Sequence, residues 1–159
     1  MTCCEQGSFQ ALKKLYNNGI LTKEQINKNN NYAFQTACRN GHLEICKWIC
    51  LTFQLTKEEI SSDDHLAFQW ACEGGHLDIC QWLYKFFYLT KEEVMYVDNK
   101  ALWWACKNKQ YRVVSFLFQE VGITEDDAQN CLKNLLKEEK EEIIKYMTPL
   151  GSFTKPAYD

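Results

Sequence analysis

The sequence has almost no proline: both copies, Pro149 and Pro156, lie beyond residue 148, so no missing N–H donor breaks a helix before that point. It also lacks any run approaching the roughly 20 apolar residues that cross a bilayer, and no membrane-spanning segment is expected. The opening MTCCEQGSFQALKK has no basic stretch followed by an apolar one, so no secretory signal is expected either. An excess of positive charge is missing too. Eighteen basic residues face 21 acidic ones, a net charge of -3, which leaves no overall field to draw in phosphate backbones or an anionic surface. Neither nucleic acid nor a membrane is the expected partner. G-x-x-x-x-G-K-[ST], G-x-G-x-x-G and H-E-x-x-H are all absent, so nucleotide, dinucleotide and zinc-hydrolase chemistry have no local signature. We expect neither an enzyme nor a bound cofactor.

What the chain does have is cysteine, nine residues in 159. A disulfide scaffold favours an even count, whereas here the count is odd, Cys3 and Cys4 are adjacent, and others recur at a fixed interval inside apolar segments. Reduced, buried thiols acting as small hydrophobes in a reducing intracellular compartment fit that pattern. With 46% hydrophobic residues the chain can form one compact unit or a short array, and it is too short for two ordinary domains.

The interval decides for an array. AFQTACRNGHLEICKWI, AFQWACEGGHLDICQWL and ALWWACKNKQYRVVSFL begin at Ala33, Ala67 and Ala101, a constant period of 34 residues. The same step links Leu21, Leu55, Leu89 and Ile123, which open LTKEQI, LTKEEI, LTKEEV and ITEDDA, and it links Gly7, Gly41 and Gly75.

Within a copy, Phe34, Ala37 and Cys38 stand at i, i+3 and i+4 on one face of a first helix, here called helix A, with Asn30, Asp64 and Asp98 just ahead as expected N-caps. Gly41 and Gly75 supply a chain reversal that L-residues adopt reluctantly. A second helix, helix B, carries Leu43, Ile45, Cys46, Trp48 and Ile49, a face broad enough that stacking on neighbours is required to bury it. Thr56-Lys57-Glu58-Glu59 and Thr90-Lys91-Glu92-Glu93 then read as capping boxes that open a short third turn, with weaker versions at Thr22 and Thr124.

The expected organisation is a single array over residues 1–147: a partial repeat at 1–29, full repeats at 30–63, 64–97 and 98–129, and a C-terminal cap at 130–147, followed by a tail at 148–159. CLKNLLKEEKEEIIKYM aligns with the third copy at an offset of 30, placing Leu132 on Leu102 and Ile143 on Val113, so its connection is four residues shorter. The charged run from Lys137 to Glu142 suits the exposed end of an array.

The pattern AC-x-x-GH-L-[ED]-IC-x-W, at Ala37 to Trp48 and Ala71 to Trp82, resembles the helix-turn-helix signature of the ankyrin repeat. The fuller wording, AF-x-W-AC-x-x-GHLE with an LT-x-E connection, is similar to that of the multicopy ankyrin repeat proteins of large DNA viruses. The family's T-P-L-H opening is replaced by Tyr32-Ala33-Phe34-Gln35, Leu66-Ala67-Phe68-Gln69 and Lys100-Ala101-Leu102-Trp103, with no D-G hairpin turn before them. The resemblance therefore implies an all-α, ankyrin-type helix-turn-helix solenoid without clear β-hairpin fingers. In the third copy Lys109 and Gln110 replace the glycine and histidine, and Asn108 is the expected residue of positive φ there.

Function follows from the same resemblance: a partner protein held on the concave surface made by helix A faces and connecting segments, in a viral setting as an adaptor for host proteins, with no reaction implied. Two other readings stand beside it. One is a structural or self-associating component of a larger assembly. The other is a ubiquitin-ligase adaptor, although CLKNLLKEEKEEIIKYM lacks the Leu-Pro opening of an F-box-like helix pair. A monomer is expected, with self-association as the alternative.

Cys38-x3-His42-x3-Cys46 and Cys72-x3-His76-x3-Cys80 invite a metal reading, but the spacing departs from zinc-site pairs and the third copy keeps only Cys106. We expect the histidines to hydrogen-bond between repeats at the start of helix B. Trp48 and Trp82 lie among apolar neighbours and should pack in the core. The candidate partner-binding positions are those beside the core pattern where copies differ: Gln35, Thr36 and Arg39, then Gln69, Trp70 and Glu73, then Trp103, Trp104 and Lys107. By helical spacing all nine leave the core face. Tryptophan and arginine are favoured interface anchors, yet Trp70 and Trp104 could equally pack against neighbouring stems.

Overall fold

The computed structural model describes residues 2–61, 65–133, 135 and 137–147; Asp64 and the tail at 148–159 lie outside them. Among the described residues the regular elements are all helices: α1 (Thr2–Glu5), α2 (Phe9–Asn17), α3 (Lys23–Arg39), α4 (Leu43–Phe53), α5 (Lys57–Ser61), α6 (Leu66–Gly74), α7 (Leu77–Phe86), α8 (Lys91–Val94), α9 (Tyr96–Lys107), α10 (Tyr111–Gln119), α11 (Glu125–Lys133) and α12 (Lys137–Met147). The latter part of α3, then α6, α9 and α11, stack side by side as one layer; α4, α7 and α10 back the first three, and α12 packs against α10.

Close stacking rests on the small residues at the end of each helix A. Ala37, Cys38, Ala71, Cys72, Ala105 and Cys106 are all buried, and the following helix packs directly on them. Cys38 and Cys46 bring their sulfurs to 3.5 Å and Cys72 and Cys80 to 3.7 Å, contact distances well beyond the roughly 2.05 Å of a disulfide. Burial pushes the Cys4 and Cys50 thiols up to about 11, which keeps them protonated.

The predicted capping boxes form in every copy. Thr22, Thr56, Thr90 and Thr124 each accept from the backbone N–H three residues on, at 3.3 Å. In return Gln25, Glu59, Glu93 and Asp127 accept from the threonine N–H at 2.7–3.0 Å. The short third turns α5 and α8 begin at two of these boxes. The first opens α3, which continues through the left-handed Asn31 into helix A, and the fourth runs straight into α11, whose connection is four residues shorter.

Helix A does not start on the expected caps. The residue entering it is left-handed in all three copies, at Asn31 (φ 61), His65 (φ 57) and Asn99 (φ 58), one place after Asn30, Asp64 and Asp98. Asn and His tolerate this conformation better than most residues. Asp98 is itself at φ 55, inside α9. At the turn to helix B the left-handed residue is Gly41 (φ 78), Gly75 (φ 75) and then Lys109 (φ 56), while Asn108 sits at φ -93. The third copy thus keeps the turn's register and places a strained lysine in the glycine position instead of shifting the turn onto Asn108.

Two ladders tie copy to copy. His42 Nε2 lies 3.1 Å from the Glu5 carbonyl oxygen and His76 Nε2 lies 2.9 Å from that of Arg39, and Gln110 Nε2 donates to Glu73 at 3.4 Å. Each side chain at the head of a helix B therefore holds a free carbonyl at the end of the preceding helix A. On the other side of the stack the box lysine of one copy pairs with the box acid of the next: Lys23 with Glu59 (3.0 Å), Lys57 with Glu93 (2.7 Å) and Lys91 with Asp127.

Candidate partner-binding surface

The nine candidate positions separate into two groups. Gln35, Thr36 and Gln69 are 3%, 5% and 3% exposed, which corrects the expectation that they leave the core face. A helix A in mid-stack is flanked on both sides, so only a narrow strip stays open. Gln35 and Gln69 occupy the position of Trp103, which faces the next helix A across a cleft with Asn130 and Cys131 of α11. Thr36 is covered from its own face. Trp70 meets Tyr32 edge-on at 6.2 Å and lies under the Arg39 guanidinium at 5.2 Å, and these two residues flank Thr36 by one helical turn.

The remaining six stay at the surface: Arg39 and Lys107 are exposed, and Trp70, Glu73, Trp103 and Trp104 are half-buried. They form a strip along the helix A layer. At its centre Arg39 stacks on Trp70 and bonds Glu73 at 3.4 Å, an ion pair between helices that neutralises the charge there. Toward the C-terminal end, Trp103 and Trp104 meet at 4.7 Å in a T-shaped pair. Lys107 caps both rings, at 4.5 Å and 5.4 Å. Beside them an open cleft of about 560 Å³ is lined by Asp98, Lys100, Trp103, Trp104, Asn130, Cys131 and Lys133.

Tyr32, Lys100 and Lys133 belong to this strip and were not among the sequence candidates. Tyr32 and Lys100 share one register position, a turn ahead of Thr36 and Trp104, so the 34-residue period itself carried that signal. Lys133 depends on where the shortened fourth unit places α11. The helix B tryptophans behave differently, as expected. Trp48 is clasped by Phe9, Tyr16 and Phe53, and Trp82 by Phe34, Phe86 and Phe87, all within 6.3 Å, and both pack against the core.

The titratable groups show structural pairing. Asp127 is held down to about 2 by the Lys91 ammonium and the Thr124 cap. At Glu59 and Glu93 burial pushes upward but is outweighed, by the Thr56 cap with Lys23 and Asn27 at Glu59 and by Lys57 with the Thr90 cap at Glu93, so both carboxyls end below their ordinary value. Among the described residues no three His, Cys, Asp or Glu side chains come together to hold a metal ion, and His42 and His76 instead bond the carbonyls of Glu5 and Arg39. No helix among them is long and apolar enough to cross a membrane.

Helical hairpins stacked at a 34-residue period define a helical repeat protein. A family model described as ankyrin repeats (3 copies) matches residues 1–92 and 51–129, and the chain belongs to the ankyrin repeat family. That family generally mediates protein–protein interaction and is typically non-enzymatic. No curated protein and no solved structure matches the chain.

Proposed function

We propose that the chain is a protein-interaction module whose partner lies along the helix A strip from Tyr32 to Lys133. The observation that carries this reading is the pair Trp70 and Trp104: equivalent residues one repeat apart, both half-buried on the outer side of helix A, each stacked against a cation. Large aromatic rings already held by a neighbour lose little side-chain entropy on binding, which suits interface anchors. The buried thiols suit a reducing compartment, and a host-directed adaptor there is the setting in which we seek the partner.

Self-association through the ends of the stack finds less support. The lysine–acid ladder stops at both ends and the histidine ladder at its first: Gln25 stands where a box glutamate would accept a preceding lysine, Glu125 stands where the next lysine would be, and Ser8 replaces the histidine. A second copy stacked end to end would lack the lysine–acid pair and would bring Ser8 where a histidine joins repeats within the chain.

The test is affinity capture with the intact chain, run beside a Trp70→Ala/Trp104→Ala variant of matched helicity. A partner kept by the unmutated chain and lost by the variant supports the strip. A partner kept equally by both moves the binding site elsewhere.

A further inference from the structure

The two ends of the strip differ in charge, and that difference names a class of partner. Near Trp70 the cation is already matched, because Arg39 is bound to Glu73. Around Trp103 and Trp104 it is not. Lys100 and Lys107 are exposed and neither forms an ion pair with a carboxylate among the described residues, and Lys133 reaches only the side-chain oxygen of Asn130 at 3.3 Å. These three ammonium groups surround two indoles and a 560 Å³ cleft whose single carboxylate is Asp98. The lysines that build the repeat ladder are, by contrast, all paired.

Resting on the reading of the strip as a binding surface, we propose that the cleft between α9 and α11 takes an acidic peptide segment of a partner protein. An aliphatic or aromatic side chain of that segment seats against Trp103 and Trp104, and its carboxylates meet Lys100, Lys107 and Lys133. Indole rings beside lysines would also suit single-stranded nucleic acid, where bases stack on aromatics inside a basic groove. The surroundings favour the peptide. The chain carries a net charge of -3, and the positive groups form a patch of three and not a groove that could follow a phosphate backbone. A short acidic segment needs only that local patch.

The experiment is selection from a displayed library of random peptides on the intact chain, followed by measurement of each selected peptide against the unmutated protein, Lys100→Glu/Lys107→Glu and Trp104→Ala, with labelled oligo(dT) as the nucleic-acid probe. All three substituted residues are exposed or half-buried on the surface, and helicity is checked by circular dichroism. Selected peptides should be net negative with one bulky apolar residue. Their affinity should fall about tenfold or more in the lysine variant and in Trp104→Ala, and should weaken with added salt. Neutral or basic peptides, no selected peptide, or oligo(dT) bound as tightly as the best peptide would overturn the proposal. Neutral peptides that still lose binding in Trp104→Ala overturn the acidic class alone, whereas peptides indifferent to every substitution in the strip overturn the strip as well.

Discussion

His76 donates through Nε2–H to the carbonyl oxygen of Arg39 at 2.9 Å, and since a carbonyl can only accept, this bond sets the tautomer of the ring. The bond holds the end of one helix A to the start of the next helix B. His76→Ala should therefore lower stability by about 1 kcal/mol, the net worth of a hydrogen bond that water can reach. His76→Gln should lose less, because Gln110 makes the same bond one copy later. Urea unfolding of the three proteins checks the order.

The turn residues give a pair of opposite effects. Lys109 is held at φ 56, and Lys109→Gly should raise stability by about 1 kcal/mol by removing a left-handed side chain. Gly41→Ala should do the reverse and cost more. Its residue sits at φ +78, and the added Cβ would lie 2.6 Å from the His76 ring, pushing it off the Arg39 carbonyl. Thermal unfolding of both variants separates a shared turn geometry from a distorted third copy.

Acid should loosen the stack from its ladder. Asp127 titrates near 2 when folded against an ordinary value of 3.8, so the unfolded chain takes up its proton first as pH falls. The stabilisation is complete above about pH 4 and is lost on descending toward about pH 2. Glu59 and Glu93 shift in the same direction and add to it. Lys91→Ala should flatten this acid limb and lower neutral-pH stability by about 0.5 kcal/mol, in keeping with a partly exposed pair, with a smaller difference in high salt. Unfolding free energies from pH 7 to pH 2.5 test the sign.

The thiols make a further prediction. Eight of the nine cysteines are buried and Cys3 is partly exposed. A native-state titration with a thiol reagent should modify Cys3 quickly and the others at the rate of unfolding, with all nine reacting in denaturant.

The architecture was legible because its information is local and repeated. Thr56 and Glu59 sit three residues apart in one turn, and Ala37 and Cys38 mark a close helix contact, so one copy predicts the next. The strip was only half legible. Gln35 and Gln69 are polar and lie off the apolar face of their own helix, yet the neighbouring helix A covers them, and that cover depends on how far one repeat is rotated against another. Asn31, His65 and Asn99 were missed as left-handed positions because Asn30 and Asp98 beside them are equally good cap residues by type. The pairing of Lys57 with Glu93 was written in the TKEE repeat, but only the stacking offset shows that the lysine of one box reaches the acid of the following one.

The most direct test of the binding surface places a photo-crosslinking amino acid at Lys100, on the strip, and separately at Leu51, which is 65% exposed on the helix B layer. Irradiation in cells expressing each protein, with the crosslinked species resolved by mass spectrometry, should join a partner through position 100 and not through position 51. A partner joined through position 51, or equally through both, would contradict the account.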